Sequence, residues 1–344
     1  MASLPYIVRD YRPDDKERLR ELCRDVWSDR PAETFERRWW WSQDRPPLKL
    51  AEDPSSRALV GFCGFAPFSL FFQGRSYPSA WFADFFITEA HQGKGLGRQL
   101  AGAVMEGFEL AASLNHNEAA LSLFKKMDWK EHRVADLYLY PWLLIPGVSR
   151  WQALSRKKDA YEIKVDAWPL SAPEEFDSLW RQARDRWAPL ACRDAAALER
   201  RYGPLKRDYK MLRCCKDGAL VGYMVTRIAP AGAIRSLPAR PTGLIVDFLV
   251  RPEESSEIFR ALLAGALQHL ARDGASCIMS LATTEPFARE LARHGFLHAA
   301  SPLIGPRLSR LKARFAFTGP ACAALGPAPW YLTLGDADLD LMWN

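Results

Sequence analysis

Apolar and polar residues follow two rhythms along the chain, one typical of helices and one typical of strands. Pro13 and Asp14 open a predicted helix that carries an apolar stripe. The stripe consists of Leu19, Leu22, Cys23, Val26 and Trp27. Shorter apolar runs predict strands over residues 6–9, 48–51, 58–66 and 68–72, with Pro67 between the last two as in a hairpin. The apolar run Trp81–Ile87 predicts a strand, which is followed by a helix over 95–109 and a strand over 110–114.

The same pattern of residues occurs twice, which indicates an internal repeat. ERRW at 36–39 recurs as ERRY at 199–202, ALVGF at 58–62 recurs as ALVGY at 219–223, and ADFFI at 83–87 recurs as VDFLV at 246–250. Because these matches keep both their order and their spacing, we expect two copies of one domain.

The repeat predicts the following domain organisation. A first domain covers residues 1–145, with residues 134–142 closing its sheet. Residues 146–160, which contain Pro146, Gly147 and a basic stretch, form a linker. A second domain covers 161–325, and a tail covers 326–344.

Composition adds limits on partners and compartment. The 344 residues carry a net charge of +6, with basic residues spread along the chain, which favours an anionic ligand mildly and does not indicate nucleic-acid binding. The seven cysteines are odd in number and include no C-x-x-C pair, so we expect no disulfide framework, no metal site and a reducing, cytoplasmic environment. Neither an export signal nor a membrane-spanning run is expected.

A glycine-rich segment directly follows the strand at 81–87. It reads HQGKGLGRQL from His91, and its glycines predict a turn that opens the next helix. A P-loop does not fit, because Gly95 follows Lys94 where Ser or Thr is needed. A dinucleotide fingerprint is weak, because its third glycine is missing. The segment does match Q/R-x-x-G-x-G/A through Gln92, Gly95 and Gly97.

This loop resembles the acyl-CoA loop of the GCN5-related N-acetyltransferases (GNAT), and a second motif of that family follows. Its pattern is N-x-x-A-x-x-L-Y-x-K-x-G-F. The chain places Asn117, Ala120, Leu123, Phe124, Lys126, Asp128 and Trp129 at those spacings. Phe124, Asp128 and Trp129 depart from the family's Tyr, Gly and Phe. The resemblance implies an α+β fold of two tandem GNAT-like domains, each with a twisted mixed central sheet flanked by helices.

The resemblance also implies the site residues. Backbone groups of Phe85, Phe86 and Ile87 would contact pantetheine, and Asn117 with Phe124 would flank its lower part. The pyrophosphate would be held by Gln92, Gly93, Lys94, Gly95, Leu96, Gly97 and Arg98. Asp84 is the candidate base, although the repeat keeps an aspartate, Asp247, at the same position, which favours a structural role for both. His91 and His116 are interpreted as loop histidines.

The second copy lacks these features. Its strand is followed by RPEESSEIFR, which has no glycine and three glutamates and would repel a pyrophosphate. The second motif is lost as well. We therefore expect cofactor binding in the first copy and a degenerate second copy.

The expected function is acyl transfer from acetyl-CoA or a longer acyl-CoA, without a metal, to an amine of a small molecule, sugar or peptide. Two alternatives stay open: a CoA-binding sensor or scaffold without catalysis, and a long-chain acyltransferase acting on a peptide. By likeness to N-myristoyltransferases, the tail could return to the first domain with Asp336, Asp338, Asp340 and the carboxylate of Asn344. A solvated acidic turn is the simpler interpretation of the tail.

Overall fold

Contacts divide the chain into two compact units. The structure is a computed structural model that describes residues 6–26, 47–135, 137–141, 161–166, 168–234, 237, 239–299, 301, 313–326, 329–337 and 339–340. The first unit comprises Met1–Ser69, Tyr77–Arg133 and Arg314–Gly326. The second comprises Leu70–Ser76, Val134–Ala313 and Pro327–Asn344.

The strands follow one another in two similar sets. Those of the amino-terminal half are β1 Ile7–Asp10, β2 Leu48–Glu52, β3 Leu59–Phe72, β4 Arg75–Ile87, β5 Leu110–Leu114, β6 Lys130–Ala135 and β7 Leu137–Tyr140. Those of the carboxy-terminal half are β8 Glu162–Asp166, β9 Leu190–Ala191, β10 Tyr209–Lys216, β11 Ala219–Ala229, β12 Thr242–Val250, β13 Cys277–Leu281, β14 Leu297–His298 and β15 Ala313–Thr318.

The described α-helices lie between these strands. They are α1 Lys16–Val26, α2 Leu96–Met105, α3 Glu118–Lys125, α4 Pro173–Trp187, α5 Ala195–Tyr202, α6 Ser255–Arg272, α7 Glu285–Arg293 and α8 Cys322–Leu325. Short 3-10 turns occur at Pro13–Asp15, Glu89–His91 and Gly203–Leu205. None of the described helices is long and apolar enough to cross a membrane.

Both sheets are mixed and have the same plan. The first has the order β1-β2-β3-β4-β5-β15-β6, and two-residue β9 pairs with the end of β3. The second has the order β8-β10-β11-β12-β13-β7-β14. In each sheet one parallel pair, β4 with β5 or β12 with β13, adjoins antiparallel neighbours. The expected fold class is thus confirmed. The repeated segments at 58–62 and 83–87 lie in β3 and β4, and their counterparts lie in the equivalent strands β11 and β12. Residues 36–39 lie outside the described part of the chain.

The two halves of the chain exchange one strand. The expectation that residues 134–142 close the first sheet is wrong for β7, which pairs with β13 and β14 in the second sheet. Strand β15, from the carboxy-terminal half, pairs instead with β5 in the first sheet. All four residues of β7 are buried, so this strand needs neighbours on both of its faces. Alternation along the sequence does not reveal which sheet supplies them.

Two local expectations are corrected as well. Strand β3 is continuous through Pro67, because pairing with β2 ends at Gly64 and the missing amide breaks no bond of that pair. Helix α2 ends at Met105, four residues early, since Gly107 takes a φ of 88° that does not continue a helix.

Helix α1 shows how the first unit builds its core. Leu19, Leu22 and Cys23 are buried against β2 and β3, as the apolar stripe predicts. On average, burial of one such side chain stabilises a fold by about 1.5–3 kcal/mol. Trp27, the last residue of the predicted stripe, lies outside the described residues.

The strand exchange predicts that the halves stay together after the chain is cut. We expect a protease site inserted in the predicted linker, residues 146–160, to be cleaved while the two fragments co-elute in size-exclusion chromatography. Each sheet would lack an inner strand without the other fragment, leaving unpaired main-chain groups. Separation into two folded fragments would contradict the exchange. The uncut variant is the control.

Candidate functional site

The first sheet opens between its two parallel strands. Pairing of β4 with β5 runs from Ser79↔Leu110 to Phe82↔Ser113 and then stops, although β4 continues to Ile87. The last five residues of β4 are half-buried, whereas the four before them are fully buried. The end of β4 therefore presents a strand edge that β5 does not cover.

Hydrogen bonds show which main-chain groups lie on that edge. The amide of Thr88 donates to the carbonyl of Val60 on β3 at 2.9 Å. Because successive residues of a strand face opposite edges, the carbonyls of Ile87 and Phe85 face away from β3. The side-chain Nε2 of Gln92 donates to the Ile87 oxygen at 2.9 Å. No described side chain donates to the Phe85 oxygen, which stays available to a ligand.

A row of main-chain donors follows directly. Gly93 and Gly95 have φ values of 73° and 84°, and α2 begins at Leu96. Residues 92–95 are exposed. Among the described residues, no acceptor is recorded for the five amides from Gly93 to Gly97. Consecutive free N–H groups at the start of a helix form a concave donor surface of the kind that binds phosphate.

Glycine is required here for backbone reasons. At Gly93 and Gly95 the left-handed φ is costly for other residues. At Gly97 a Cβ atom would lie 3.1 Å from Leu123 Cδ2, so glycine lets α2 approach α3 closely. The exposed cations Lys94 and Arg98 flank the donor row, and Arg98 Nη2 donates to the Lys126 carbonyl at 3.0 Å. Their charges add to the positive end of the α2 dipole.

The second motif is used largely for structure. Asn117 caps α3, its Oδ1 accepting from the Ala120 amide at 2.8 Å. Phe124 is 2% exposed. It stacks on Trp129 with ring centroids 4.0 Å apart, and Phe82 packs against it edge-on. The structure thus places Phe124 in the core, where its ring offers no surface to pantetheine. Trp129, which stands where the family has Phe, covers one face of this ring.

Asp84 lies in the half-buried stretch of β4. Burial is the main cause that raises the pKa of the Cys63 thiol on β3, and the nearby negative charge of Asp84 raises it further. Its counterpart Asp247 is 3% exposed and forms an ion pair with Arg193 Nε at 2.9 Å. Asp247 is therefore structural in the second unit, whereas Asp84 lies beside the opening in the first.

The second unit has the same opening, but its own chain fills it. Pairing of β12 with β13 stops at Ile245↔Ser280, and the Arg251 amide donates to Val221 as Thr88 does to Val60. The three β12 carbonyls that face away from β11 each accept a hydrogen bond. The donors are Gly335 N to Val246 at 2.6 Å, Tyr331 Oη to Phe248 at 2.6 Å and Trp187 Nε1 to Val250 at 2.8 Å. All nine residues of β12 are buried, so this edge has no room for a ligand.

Buried ion pairs hold the tail in this position. Arg193 Nη2 contacts Asp336 Oδ2 at 2.8 Å, and Arg201 Nη2 contacts Asp340 Oδ1 at 2.6 Å. Asp336 and Asp340 are 4% and 0% exposed. The simpler interpretation of the tail as a solvated acidic turn is therefore wrong for these two residues. Their described partners lie in the second unit, and Asp338 and Asn344 lie outside the described residues.

The second unit has a carboxylate where the first has its glycine-rich turn. Glu254 occupies the position before α6 that Gly95 occupies before α2. Its carboxylate contacts Lys216 Nζ at 2.7 Å and accepts from the Tyr161 hydroxyl at 2.6 Å. The hydrogen bond from Lys216 is the main reason that the pKa of Glu254 falls to about 2. A permanent negative charge thus stands where the first unit presents amides.

Comparisons with known proteins support the fold described above. Residues 10–129 match the model of the Acetyltransferase (GNAT) family. No curated protein matches the chain in sequence. A GCN5-related N-acetyltransferase from Anabaena variabilis is similar in structure, with a TM-score of 0.64 and 11% identity over 93% of this chain and 74% of that one.

Two further solved structures are similar to this chain in fold. A GCN5-related N-acetyltransferase from Kribbella flavida has a TM-score of 0.60 and 13% identity, covering 93% of this chain and 73% of that one. Saccharomyces cerevisiae N-myristoyltransferase with bound myristoyl-CoA has a TM-score of 0.56 and 9% identity, covering 93% and 80%. At these identities the likeness establishes the fold alone.

The protein therefore has the fold of the GNAT acyltransferases, with two tandem sheets of the same plan. Within that fold, residues 10–129 are the part of the chain that matches the model of the Acetyltransferase (GNAT) family.

The filled opening predicts a marked difference between two Tyr→Phe variants of the second unit. Tyr331→Phe leaves the buried Phe248 carbonyl without a donor, and we expect it to lower the free energy of unfolding by about 1–3 kcal/mol. Tyr161→Phe removes an exposed hydrogen bond and should cost less than about 0.5 kcal/mol. Urea denaturation of both variants measures the difference. Equal losses would contradict the role of Tyr331 as a partner of the strand edge.

Proposed function

We propose that the protein is an N-acyltransferase that moves an acyl group from acyl-CoA to an amine, and that only the first unit binds the coenzyme. One observation carries this proposal. Of two equivalent strand edges, the first keeps the Phe85 carbonyl and a row of amides that have no recorded partner among the described residues, whereas the second is filled by its own chain. This difference in the groups that would face a ligand favours binding in one unit.

Acyl-CoA fits the groups present in the first unit. The amides of Gly93 to Gly97, with Lys94 and Arg98, suit the two charges of a pyrophosphate. The main chain of Phe85, Phe86 and Ile87 suits the amides of pantetheine, which would pair with β4 as a short strand does. Asn117, the capping residue of α3, is exposed. We do not retain Phe124 among the contacts, because its ring is buried.

The chemistry then depends mainly on position. Holding the thioester beside an amine converts an encounter of two molecules into a reaction within one complex. A free N–H of β4 would stabilise the oxyanion that forms during attack. Asp84 would accept the proton of the incoming ammonium group and release it to solvent, so that the neutral amine attacks.

The acceptor class is a primary amine on a small molecule, a sugar or a peptide. The yeast N-myristoyltransferase binds myristoyl-CoA, so longer acyl chains belong in the same test as acetyl-CoA. A protein that binds acyl-CoA tightly but releases no thiol with any amine would be a sensor instead.

Binding is tested by two Gly→Glu variants at the two ends of the same helix. Gly95→Glu places a negative charge at the donor row, and we expect acyl-CoA affinity to fall at least about 100-fold. Gly107→Glu introduces the same charge at a similar φ of 88°, and affinity should stay within about threefold. Isothermal titration with acetyl-, octanoyl- and myristoyl-CoA gives both values and the preferred chain length.

Two outcomes would contradict the placement of the cradle. One is unchanged affinity in Gly95→Glu with a normal melting temperature. The other is loss of binding in both variants, which would indicate general damage to α2 and not a local effect.

Asp84 and Asp247 form a matched pair for a test of the base. We expect Asp84→Asn to lower kcat/KM about 10–100-fold at neutral pH without changing acyl-CoA affinity. Asp247→Asn breaks a buried ion pair with Arg193 and should cost about 3–5 kcal/mol of stability. Thiol release and thermal unfolding separate the two effects. Normal rates with lost stability in Asp84→Asn would reassign it as structural.

A further inference from the structure

The glycine of the repeated ALVG segment lies opposite the end of β4 in the first unit and opposite the end of β12 in the second. Gly61 on β3 and Gly222 on β11 occupy the same place in the two copies. Neither residue has a positive φ, so a special backbone conformation does not explain why glycine stands there. A glycine inside a strand often marks a place where another main chain comes close. The space around each glycine is therefore the feature to explain.

At Gly61 that space is occupied by the main chain of β4. A Cβ atom on this residue would lie 2.8 Å from the Phe86 carbonyl oxygen and 3.4 Å from Ile87 Cα. The first distance lies inside the separation at which a carbon and an oxygen atom attract each other. Because the obstacle is a backbone atom, no change of side-chain rotamer removes it. Strand β3 can thus approach the end of β4 this closely only with glycine at position 61.

Thr88 binds the same stretch of β4 to β3. Its amide donates to the Val60 carbonyl at 2.9 Å, and its hydroxyl donates to the same oxygen at 3.1 Å. Both bonds depend on the close approach that Gly61, the next residue of β3, allows. Main-chain groups of a strand point alternately to its two edges. Holding this stretch against β3 therefore also fixes the carbonyls of Phe85 and Ile87 on the open edge.

The second unit has the same contact between its strands. A Cβ atom on Gly222 would lie 3.2 Å from the Leu249 carbonyl oxygen and 2.8 Å from Ile258 Cγ2 on α6. The Arg251 amide donates to the Val221 carbonyl at 3.0 Å. Glycine thus sets the distance between the two strands in both units. The units differ in what meets the far edge, which is the tail and α4 in the second unit and, in the proposed function, acyl-CoA in the first.

We propose that Gly61 and Thr88 are positioning residues for acyl-CoA, because they hold the end of β4 where its open edge can pair with the amides of pantetheine. This inference rests on the proposed acyl transfer in the first unit. Neither residue needs to touch the ligand. A side chain at position 61 would push the Phe86 carbonyl away from β3 and displace the open edge with it. Hydrogen bonds weaken steeply as their distance and angle change, so pantetheine would then pair poorly with β4.

The test compares Gly61→Ala with Gly222→Ala. Each variant adds one methyl group at the same place of the repeat, and both should lower the melting temperature by a few degrees, because the added atom overpacks the sheet. We expect acyl-CoA affinity to fall at least about 10-fold in Gly61→Ala and to stay within about threefold in Gly222→Ala. Isothermal titration with acetyl-CoA, below the melting transition of both variants, measures the difference.

A fragment of the coenzyme separates positioning from general damage. The compound 3′-phospho-ADP keeps the diphosphate of CoA and lacks pantetheine, so it would reach the amides of Gly93 to Gly97 without using the edge of β4. Its inhibition constant against acetyl-CoA should stay within about threefold of the wild-type value in Gly61→Ala. A purely structural loss would weaken binding of the fragment as much as binding of the whole coenzyme.

Thr88 supplies a second pair of variants that does not depend on how well Gly61→Ala folds. Thr88→Val removes the hydroxyl bond to Val60 and leaves the amide bond, and it should lower acyl-CoA affinity about fivefold. Thr88→Ser keeps the hydroxyl group and should keep wild-type affinity within about twofold. Recovery by serine would show that the bond to β3, and not the bulk of the side chain, matters at this position.

The outcomes separate this inference from the proposed function. Wild-type acyl-CoA affinity in both Gly61→Ala and Thr88→Val would overturn the inference alone. So would an equal loss of affinity for acetyl-CoA and for 3′-phospho-ADP, or a loss in Gly222→Ala as large as in Gly61→Ala. A wild-type protein that binds no acyl-CoA would instead refute the proposed function and this inference with it.

Discussion

Two parallel strands that separate partway along their length leave main-chain groups on an open edge, and the rest of this structure depends on how those groups are satisfied. In the second unit the chain itself satisfies these groups, because Gly335, Tyr331 and Trp187 donate to three alternate carbonyls of β12. In the described part of the first unit, Ile87 has such a donor, from Gln92, and none is recorded for Phe85. Since unpaired polar groups are costly once buried, the first edge stays accessible and suits a ligand that supplies its own amides.

Charge follows the same division. The first unit sets two cations and five amides around Gly95, and these amides have no recorded acceptor among the described residues. The second unit sets the carboxylate of Glu254 at the equivalent helix start. The tail that fills the second opening is held by buried pairs of Asp336 with Arg193 and Asp340 with Arg201. Breaking such a pair leaves an uncompensated buried charge, which makes the filled state of the second unit stable. The two units have thus diverged from one plan into a ligand-facing edge and a closed one.

Exchange of β7 and β15 shapes the fold as strongly as the repeat does. Each sheet takes one inner strand from the other half of the chain, so neither half carries a complete set of strands by itself. Strand β15 also contributes Arg314, which forms an ion pair with Glu118 at the start of α3. A strand that enters the first sheet from the far end of the chain is therefore also tied to the helix that follows β5.

The sequence alone determined what depends on local chemistry. The glycines at 93, 95 and 97, the apolar stripe of α1 and the repeated strand segments predict the cradle, the first helix and two similar sheets, because backbone freedom and spacing are properties of short segments. Tertiary structure decided what depends on distant partners. Phe124 is buried because Trp129 and Phe82 cover it. Likewise, β7 and Tyr331 have neighbours more than 80 residues away, a separation that no local pattern records.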